Sequence, residues 1–279
     1  MLKIKLFVFA VAMMVFIGAS HAQDRTGEKS WQLGWTPYLW LFSLDGNTAV
    51  NYNTVDIDWG YDDFFDALDF GFSSYTEFQY DRFFLINDTS CFDLGEAGSL
   101  RFIRQGDLIG SIDGEAAIDV EAQQWGVKTV VGYRVIDQMN RADDGVRFAV
   151  DLFTGVLYNS VKTELHGDLT LHINTRLGTI TRTASLDFAD TENWWQQVYS
   201  IRTVAGLTDR LTWITTGDIA TGYEDHNFLW GVKTLLDYRF HKNWSAYIGY
   251  QAVDFDYAHD GFEYGILYQG PYLGVMVHF

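Results

Sequence analysis

The chain has one cysteine and two prolines in 279 residues, and beyond its first 19 residues no apolar run long enough to cross a bilayer as a helix. A lone Cys91 excludes an internal disulfide framework and reads as a buried or lipid-facing thiol. No His/Cys spacing suggests zinc. Basic residues are scarce, 19 Lys and Arg against 37 Asp and Glu, a balance that gives no footprint for a nucleic-acid partner. No internal repeat or low-complexity tract is evident, and nothing suggests a linker or a separate second domain.

What is present begins with Lys3 and Lys5, an apolar stretch from Leu6 to Ala19, and then Ser20-His21-Ala22. That stretch is too short for a spanning helix needing about 20 residues, and the small residues at 20 and 22 fit a cleavage site. The expected organisation is a cleavable signal peptide over 1–22 and a single domain over 23–279. In the remainder, apolar residues alternate with Gly, Ser, Thr, Gln and charged residues at period two, as in strands with one face in lipid and the other in a polar lumen. Aromatic residues make up 17% of the chain and charged residues 20%. Trp31, Trp35, Trp40, Tyr80, Phe83, Trp125, Tyr133, Trp195, Trp213, Trp230, Tyr238, Phe240 and Trp244 stand near strand ends, which suits the interfacial girdles of a barrel.

The expected fold is all-β: a closed antiparallel up-and-down transmembrane β-barrel in an outer membrane. Ten strands are expected near 31–43, 69–80, 82–92, 117–136, 146–158, 193–207, 211–222, 228–240, 244–256 and 262–279. Short turns at Asp81-Arg82, Thr208-Asp209-Arg210 and His241-Lys242-Asn243, with a longer one at 137–145, alternate with long loops at 44–68, 93–116 and 159–192. Twelve strands is the alternative, if 47–51 with 54–58, or 161–186, adds a spanning hairpin. At the C-terminus, Leu273, Val275, Val277 and Phe279 alternate outward while Tyr272, Gly274, Met276 and His278 face inward, in the manner of a barrel-assembly signal.

Two motifs, Trp35-Thr36-Pro37-Tyr38-Leu39-Trp40 and Gly270-Pro271-Tyr272-Leu273-Gly274 with the terminal Phe279, resemble those of a large group of proteobacterial outer-membrane β-barrel proteins of uncharacterised activity. Asp62-Asp63-Phe64-Phe65-Asp66-Ala67-Leu68-Asp69-Phe70, Gly217-Asp218 and Asp237-Tyr238-Arg239-Phe240 extend the resemblance over essentially 30–279. It implies an architecture and brings no catalytic residues with it.

Strand periodicity that turns Phe228, Trp230, Val232, Leu236, Tyr238 and Phe240 outward turns Lys233, Asp237 and Arg239 inward. The same rule puts Glu77, Asp88, Asp151 and Asp218 in the lumen with Lys128, Arg134, Arg147 and Arg202. The eleven charges nearly balance, and in a narrow barrel they are expected to pair, with Lys233, Asp237 and Arg239 meeting one another. Without Lys3 and Lys5 the chain keeps 17 basic against 37 acidic residues, so the excess acid belongs on loops and rims. Asp45, Asp56, Asp58, Asp62, Asp63 and Asp66 crowd the first long loop with no Lys or Arg. Hard carboxylate ligands suit Ca²⁺ or Mg²⁺, and such ions bridge to lipopolysaccharide phosphates, but the spacing matches no ordered calcium loop. Residues 62–68 are expected to form a short helix against the barrel mouth.

His226 beside Asp225 and His259 beside Asp260 are the nearest approach to a base and its orienting carboxylate, and no serine motif accompanies them. His166 and His172 read as loop residues. The sequence implies no cofactor; the expected partners are outer-membrane lipid, lipopolysaccharide and the barrel-assembly machinery, with a monomer as the expected state. Two function classes remain: a plugged structural barrel or narrow channel, and a surface-binding or hydrolytic barrel working through its loops. Deleting Phe279 is expected to lower the yield of assembled barrel in cells while refolding in detergent proceeds, since its packing contributes no more than about 1.5–3 kcal/mol. Wild-type yield from the deletion would reduce Phe279 to ordinary packing.

Overall fold

Every strand of the molecule sends alternate side chains to opposite faces of one antiparallel sheet, and that sheet closes on itself. The computed structural model describes residues 31–50, 53–62, 67–106, 110–139, 147–175, 178–223 and 226–279. The expected signal peptide and cleavage site lie outside the described residues. In chain order the strands are β1 (Trp31–Trp40), β2 (Ser43–Val50), β3 (Asn53–Trp59), β4 (Leu68–Tyr80), β5 (Phe83–Gly106), β6 (Gly110–Asp137), β7 (Arg147–Thr175), β8 (Gly178–Gly206), β9 (Leu211–Thr221), β10 (His226–His241), β11 (Trp244–His259) and β12 (Phe262–His278).

The barrel wall consists of β1 and β4 to β12, each paired with its neighbour, and β12 pairs back onto β1 to close it. These are the ten expected wall strands. The other two form a hairpin: β2 continues the line of β1 past Leu41-Phe42 and pairs with β12 from Ser43↔Gln269 to Ala49↔Glu263, while β3 covers its other edge. The 47–51 and 54–58 hairpin therefore forms without adding a strand to the wall. Ala67 is buried and Leu68 packs on the core; of the short helix expected over 62–68, residues 63–66 lie outside the described residues.

The segments 93–116 and 159–192, expected as long loops, are instead continuations of β5 to β8. These strands are 24 to 29 residues long and stay paired toward their hairpin ends. A tilted strand needs only about 9–11 residues to span the hydrocarbon, so much of each stands outside it. The stretches Leu169-Thr170-Leu171-His172-Ile173 and Gly178-Thr179-Ile180-Thr181 retain strand alternation without aromatic landmarks, which is why aromatic boundaries mark the membrane and not the end of the sheet. His166 and His172 accordingly lie on β7. At the termini's end of the barrel Asp81, with a φ of 52°, makes the tight turn from β4 to β5, and β8–β9 and β10–β11 are also joined by short turns. At the opposite end Asp260 and Gly261, with φ of 44° and 87°, make the left-handed pair that a two-residue hairpin between right-twisted strands requires.

The outward face carries Leu85, Val131, Leu152, Ile201, Val232, Leu236 and Ile248, all exposed, between two aromatic belts. Trp31, Tyr80, Phe83, Tyr133, Tyr238 and Phe240 form the belt near the tight turns, and Trp125, Trp195, Phe228 and Trp230 the other. From Trp230 to Phe240 is about 34 Å of strand, or roughly 26 Å of membrane thickness at a tilt near 40°. Trp40 is a correction to the expected girdle: it faces inward and is only 6% exposed. Unheated protein in detergent is expected to migrate differently from a boiled sample, and alkali-washed membranes to retain it. Recovery in a soluble fraction would defeat the spanning assignment.

Candidate functional site in the lumen

The hydrophobic core of this molecule is the inside of the barrel, and its polar layer crosses the lumen from wall to wall. Nearest the tight turns, Asp151 on β7 is fully buried and accepts from Arg134 Nε at 2.7 Å and Arg202 Nε at 2.9 Å. Arg202 reaches on to Glu77 of β4, Nη1 to Oε2 at 2.6 Å, where the Tyr75 hydroxyl also donates. Phe84 and Phe153 lie under these guanidiniums, with Arg202 at 4.8 and 5.0 Å and Arg134 at 5.1 Å from Phe84. Each cation thus meets both a carboxylate and a ring face, which offsets the cost of taking it out of water.

One step further in, Lys233 on β10 donates to Asp88 on β5, five strands round the wall, at 3.1 Å. Its ammonium sits 4.8 and 5.1 Å from the Tyr38 and Tyr272 rings, and the Tyr38 hydroxyl donates to the other Asp88 oxygen at 2.8 Å. Beside it Lys128 on β6 holds Asp218 on β9 at 2.7 Å. Eight of the eleven sequence-picked charges belong to these two layers. The other three lie toward the tight-turn rim. Arg147 pairs with the exposed turn residue Asp209 at 3.0 Å, Arg239 is exposed, and Asp237 is next to Ser245 with its Oδ1 buried and without a hydrogen-bond partner. The expected mutual pairing of Lys233, Asp237 and Arg239 does not form, because β10 rises past one charged layer into the next and Lys233 finds its acid across the barrel.

Against the second ionic layer, with Asp88, Lys128 and Asp218 in its lining, lies a chamber of about 90 Å³, several times the ~10–15 Å³ that one water needs. Tyr38, Trp40, Phe92, Gln124, Asn159, Gln251, Phe255 and Tyr268 are among its walls. Aromatic residues crowd its far side. Phe42 is wedged against Trp40, Phe92 and Tyr268 at 4.9, 4.8 and 5.1 Å between ring centres. The Tyr264 and Tyr268 hydroxyls of β12 meet each other and cluster around Gln124 Oε1 across the lumen, and Trp194 of β8 stacks on Tyr257 of β11 at 4.2 Å. Sequence reasoning missed this aromatic cluster. The available signal was the even-numbered run Tyr38, Trp40, Phe42, Leu44 on the same face as the buried Thr36.

Outside the lumen the candidates do not converge. Asp45 and Asp58 are cross-strand partners on β2 and β3 and both are exposed; Asp62 is exposed in a helical turn. The side chain of Asp56, and Asp63, Asp66 and Asp225 entirely, lie outside the described residues. Among the described residues no group of three or more His, Cys, Asp or Glu gathers as a metal site. His259 Nε2 is 3.6 Å from Asp260, both exposed at the hairpin tip. Cys91 is buried.

This closed ten-stranded wall with a belted outer face is the fold of an outer-membrane β-barrel. Among solved structures the chain is similar to the outer membrane protease OmpT from Escherichia coli, with 9% identity and a TM-score of 0.50 over 94% of this chain and 100% of that one. It also matches the translocator domain of the autotransporter NalP from Neisseria meningitidis (10% identity, TM-score 0.38, 99% and 97% covered). A third is Ail, the attachment invasion locus protein of Yersinia pestis, crystallised with a heparin analogue (8% identity, TM-score 0.33, 89% and 99% covered). At such identities the OmpT likeness establishes the fold alone. No protein-family model matches the sequence, and no curated protein matches it.

Asp151→Ala leaves Arg134 and Arg202 facing one another in the core, and is expected to lower unfolding stability in lipid vesicles by about 3–5 kcal/mol. Asp209→Ala, which removes the exposed partner of Arg147, is expected to be indistinguishable from wild type. Urea titration followed by tryptophan fluorescence reads both, and equal effects would mean that the lumen is hydrated at Asp151.

Proposed function

We propose that the protein is an integral barrel of the bacterial outer membrane, exported through its signal peptide, whose lumen is sealed so that it serves as a rigid scaffold and not as a diffusion pore. The observation that carries this reading is the pair of barriers in series: ion pairs joining β4 to β8, β5 to β10 and β6 to β9, followed by the aromatic closure. A pore open to general solutes needs roughly 16 to 18 strands, and a ten-stranded wall leaves little more width than its own side chains fill. The sealed shaft holds up the long paired extensions of β5 to β8, which give the molecule a broad surface beyond the membrane. Its contacts there are outer-membrane lipid and lipopolysaccharide, its assembly runs through the barrel-assembly machinery, and it works as a monomer. The motif resemblance to the proteobacterial barrel group supports the same assignment.

Planar-bilayer recording of the refolded mature protein separates this reading from a narrow channel lined by the same charges. Silence at moderate voltage is expected from the wild type. A steady, ion-selective current would replace the sealed scaffold with the channel, and a shift toward anion selectivity in Asp88→Asn would then place the conducting path beside Lys233.

A further inference from the structure

Both prolines of the chain lie in the one seam that closes the barrel, Pro37 on β1 and Pro271 on β12. The seam's ladder fixes what each of them removes. Phe279 donates its backbone N–H to Leu33 and Leu41 donates to Pro271, both at 2.9 Å. Antiparallel ladders bond alternate pairs, so the bonded set runs through Leu33/Phe279, Trp35/Val277, Pro37/Val275, Leu39/Leu273 and Leu41/Pro271. The N–H groups that Pro37 and Pro271 lack are therefore the ones that would have met the carbonyls of Val275 and Leu41 across this seam. On their other edges the two prolines stand opposite Ser74 and Tyr250, at positions where no ladder bond is due. Pairing of β1 with β12 accordingly skips Thr36 and Pro37, whereas β1 with β4 pairs without a break from Trp31 to Tyr38. Proline is ordinarily tolerated at a sheet edge, and a closed barrel has none, so two in adjacent strands weaken one chosen line.

Directly behind that line is the chamber, with Tyr38 and Trp40 of β1 and Tyr268 of β12 in its wall. The Trp40 indole N–H, the Gln251 Oε1 and the Asp218 Oδ1 are buried there without hydrogen-bond partners, and Trp40 is more than nine-tenths buried. The chamber's charges are already matched, Lys128 with Asp218 and Lys233 with Asp88. The ionic layers lie on one axial side of the chamber and the aromatic cluster on the other. We propose that the β1–β12 seam is a lateral passage between the hydrocarbon and this chamber, and that the chamber binds a small, neutral, lipid-soluble alcohol or phenol. A hydroxyl both accepts from the Trp40 N–H and donates to the Gln251 or Asp218 oxygen, and the remaining apolar body lies against Phe92 and Phe255. The matched ion pairs leave no net charge to favour an ionic ligand.

This inference rests on the sealed-lumen reading, which fails by steady wild-type current, and its own test reads no current. The barrel is refolded in lipid nanodiscs and 1-naphthol is added through the bilayer, with the indole N–H signal of Trp40 and the side-chain amide of Gln251 followed by NMR. A saturable shift of both is expected, and Trp40→Phe is expected to weaken binding about tenfold, as the loss of one hydrogen bond to a desolvated partner does. In the Cys91→Ser background, Leu39→Cys with Leu273→Cys places a disulfide on the lipid face between the two prolines, at a bonded pair whose spacing of about 5.5 Å suits the bridge. Oxidation is expected to slow naphthol exchange and reduction to restore it. Pro37→Val with Pro271→Val, which returns both donors without a cross-link, is expected to slow exchange in the same direction. Absence of a saturable shift at Trp40 in the wild type overturns the binding site, and exchange unaltered by both the disulfide and the valine pair overturns the lateral passage.

Discussion

Inside hydrocarbon there is no water to satisfy a backbone N–H or C=O, so each must find its partner within the protein, and the closed ladder is what makes the rest of this molecule possible. Eight wall seams join strands consecutive in the chain, a ninth joins β1 to β4 across the β2–β3 hairpin, and the tenth joins β12 to β1. The hairpin seams are local and form as each turn closes, whereas the last one brings together residues at the two ends of the described chain. It is also the seam in which two donors are missing. The wall is thus uniform in architecture and uneven in strength, with its weakest line where closure takes place.

Closure sets the width of the lumen, and the width sets what fills it. A barrel of about eight strands is just filled by ordinary side chains, and two more strands leave space that aliphatic residues of one wall do not span. Here long cations and large rings span it. Arg202 reaches Glu77 and Lys233 reaches Asp88 from far round the wall, and Tyr264 and Tyr268 reach Gln124. The inward aromatic residues are a consequence of ten strands, as the outward ones are a consequence of the membrane. Glycine makes the complementary adjustment: a Cβ on Gly132 would stand 2.1 Å from the Phe153 ring, so that ring occupies the place a side chain would have taken.

Much of this was legible in the residues. Period-two alternation placed the ten wall strands and the facing of β10, because one face meets lipid and the other does not. Loops read from composition went wrong where polar, β-branched alternation continued beyond the aromatic belts, since a strand in water and a strand in lipid share backbone geometry and differ only in their outward residues. Trp40 was misplaced for a related reason. Its position near a strand end suggested a belt, while its even number, shared with Tyr38 and Phe42, put it inside.

The sequence by itself determined the alternation of inner and outer residues along each strand, because that depends only on a residue's parity within its own strand. It did not determine which charge meets which. Asp151 bonding Arg134 and Arg202, Lys233 crossing to Asp88, and Asp237 left at the rim follow from the stagger of ten strands around a closed ring. Height in the lumen is the sum of every register between two strands, and no single segment contains it. The closing seam was likewise invisible in one dimension: Pro37 and Pro271 are 234 positions apart in sequence and come to share one seam only when the last strand pairs with the first.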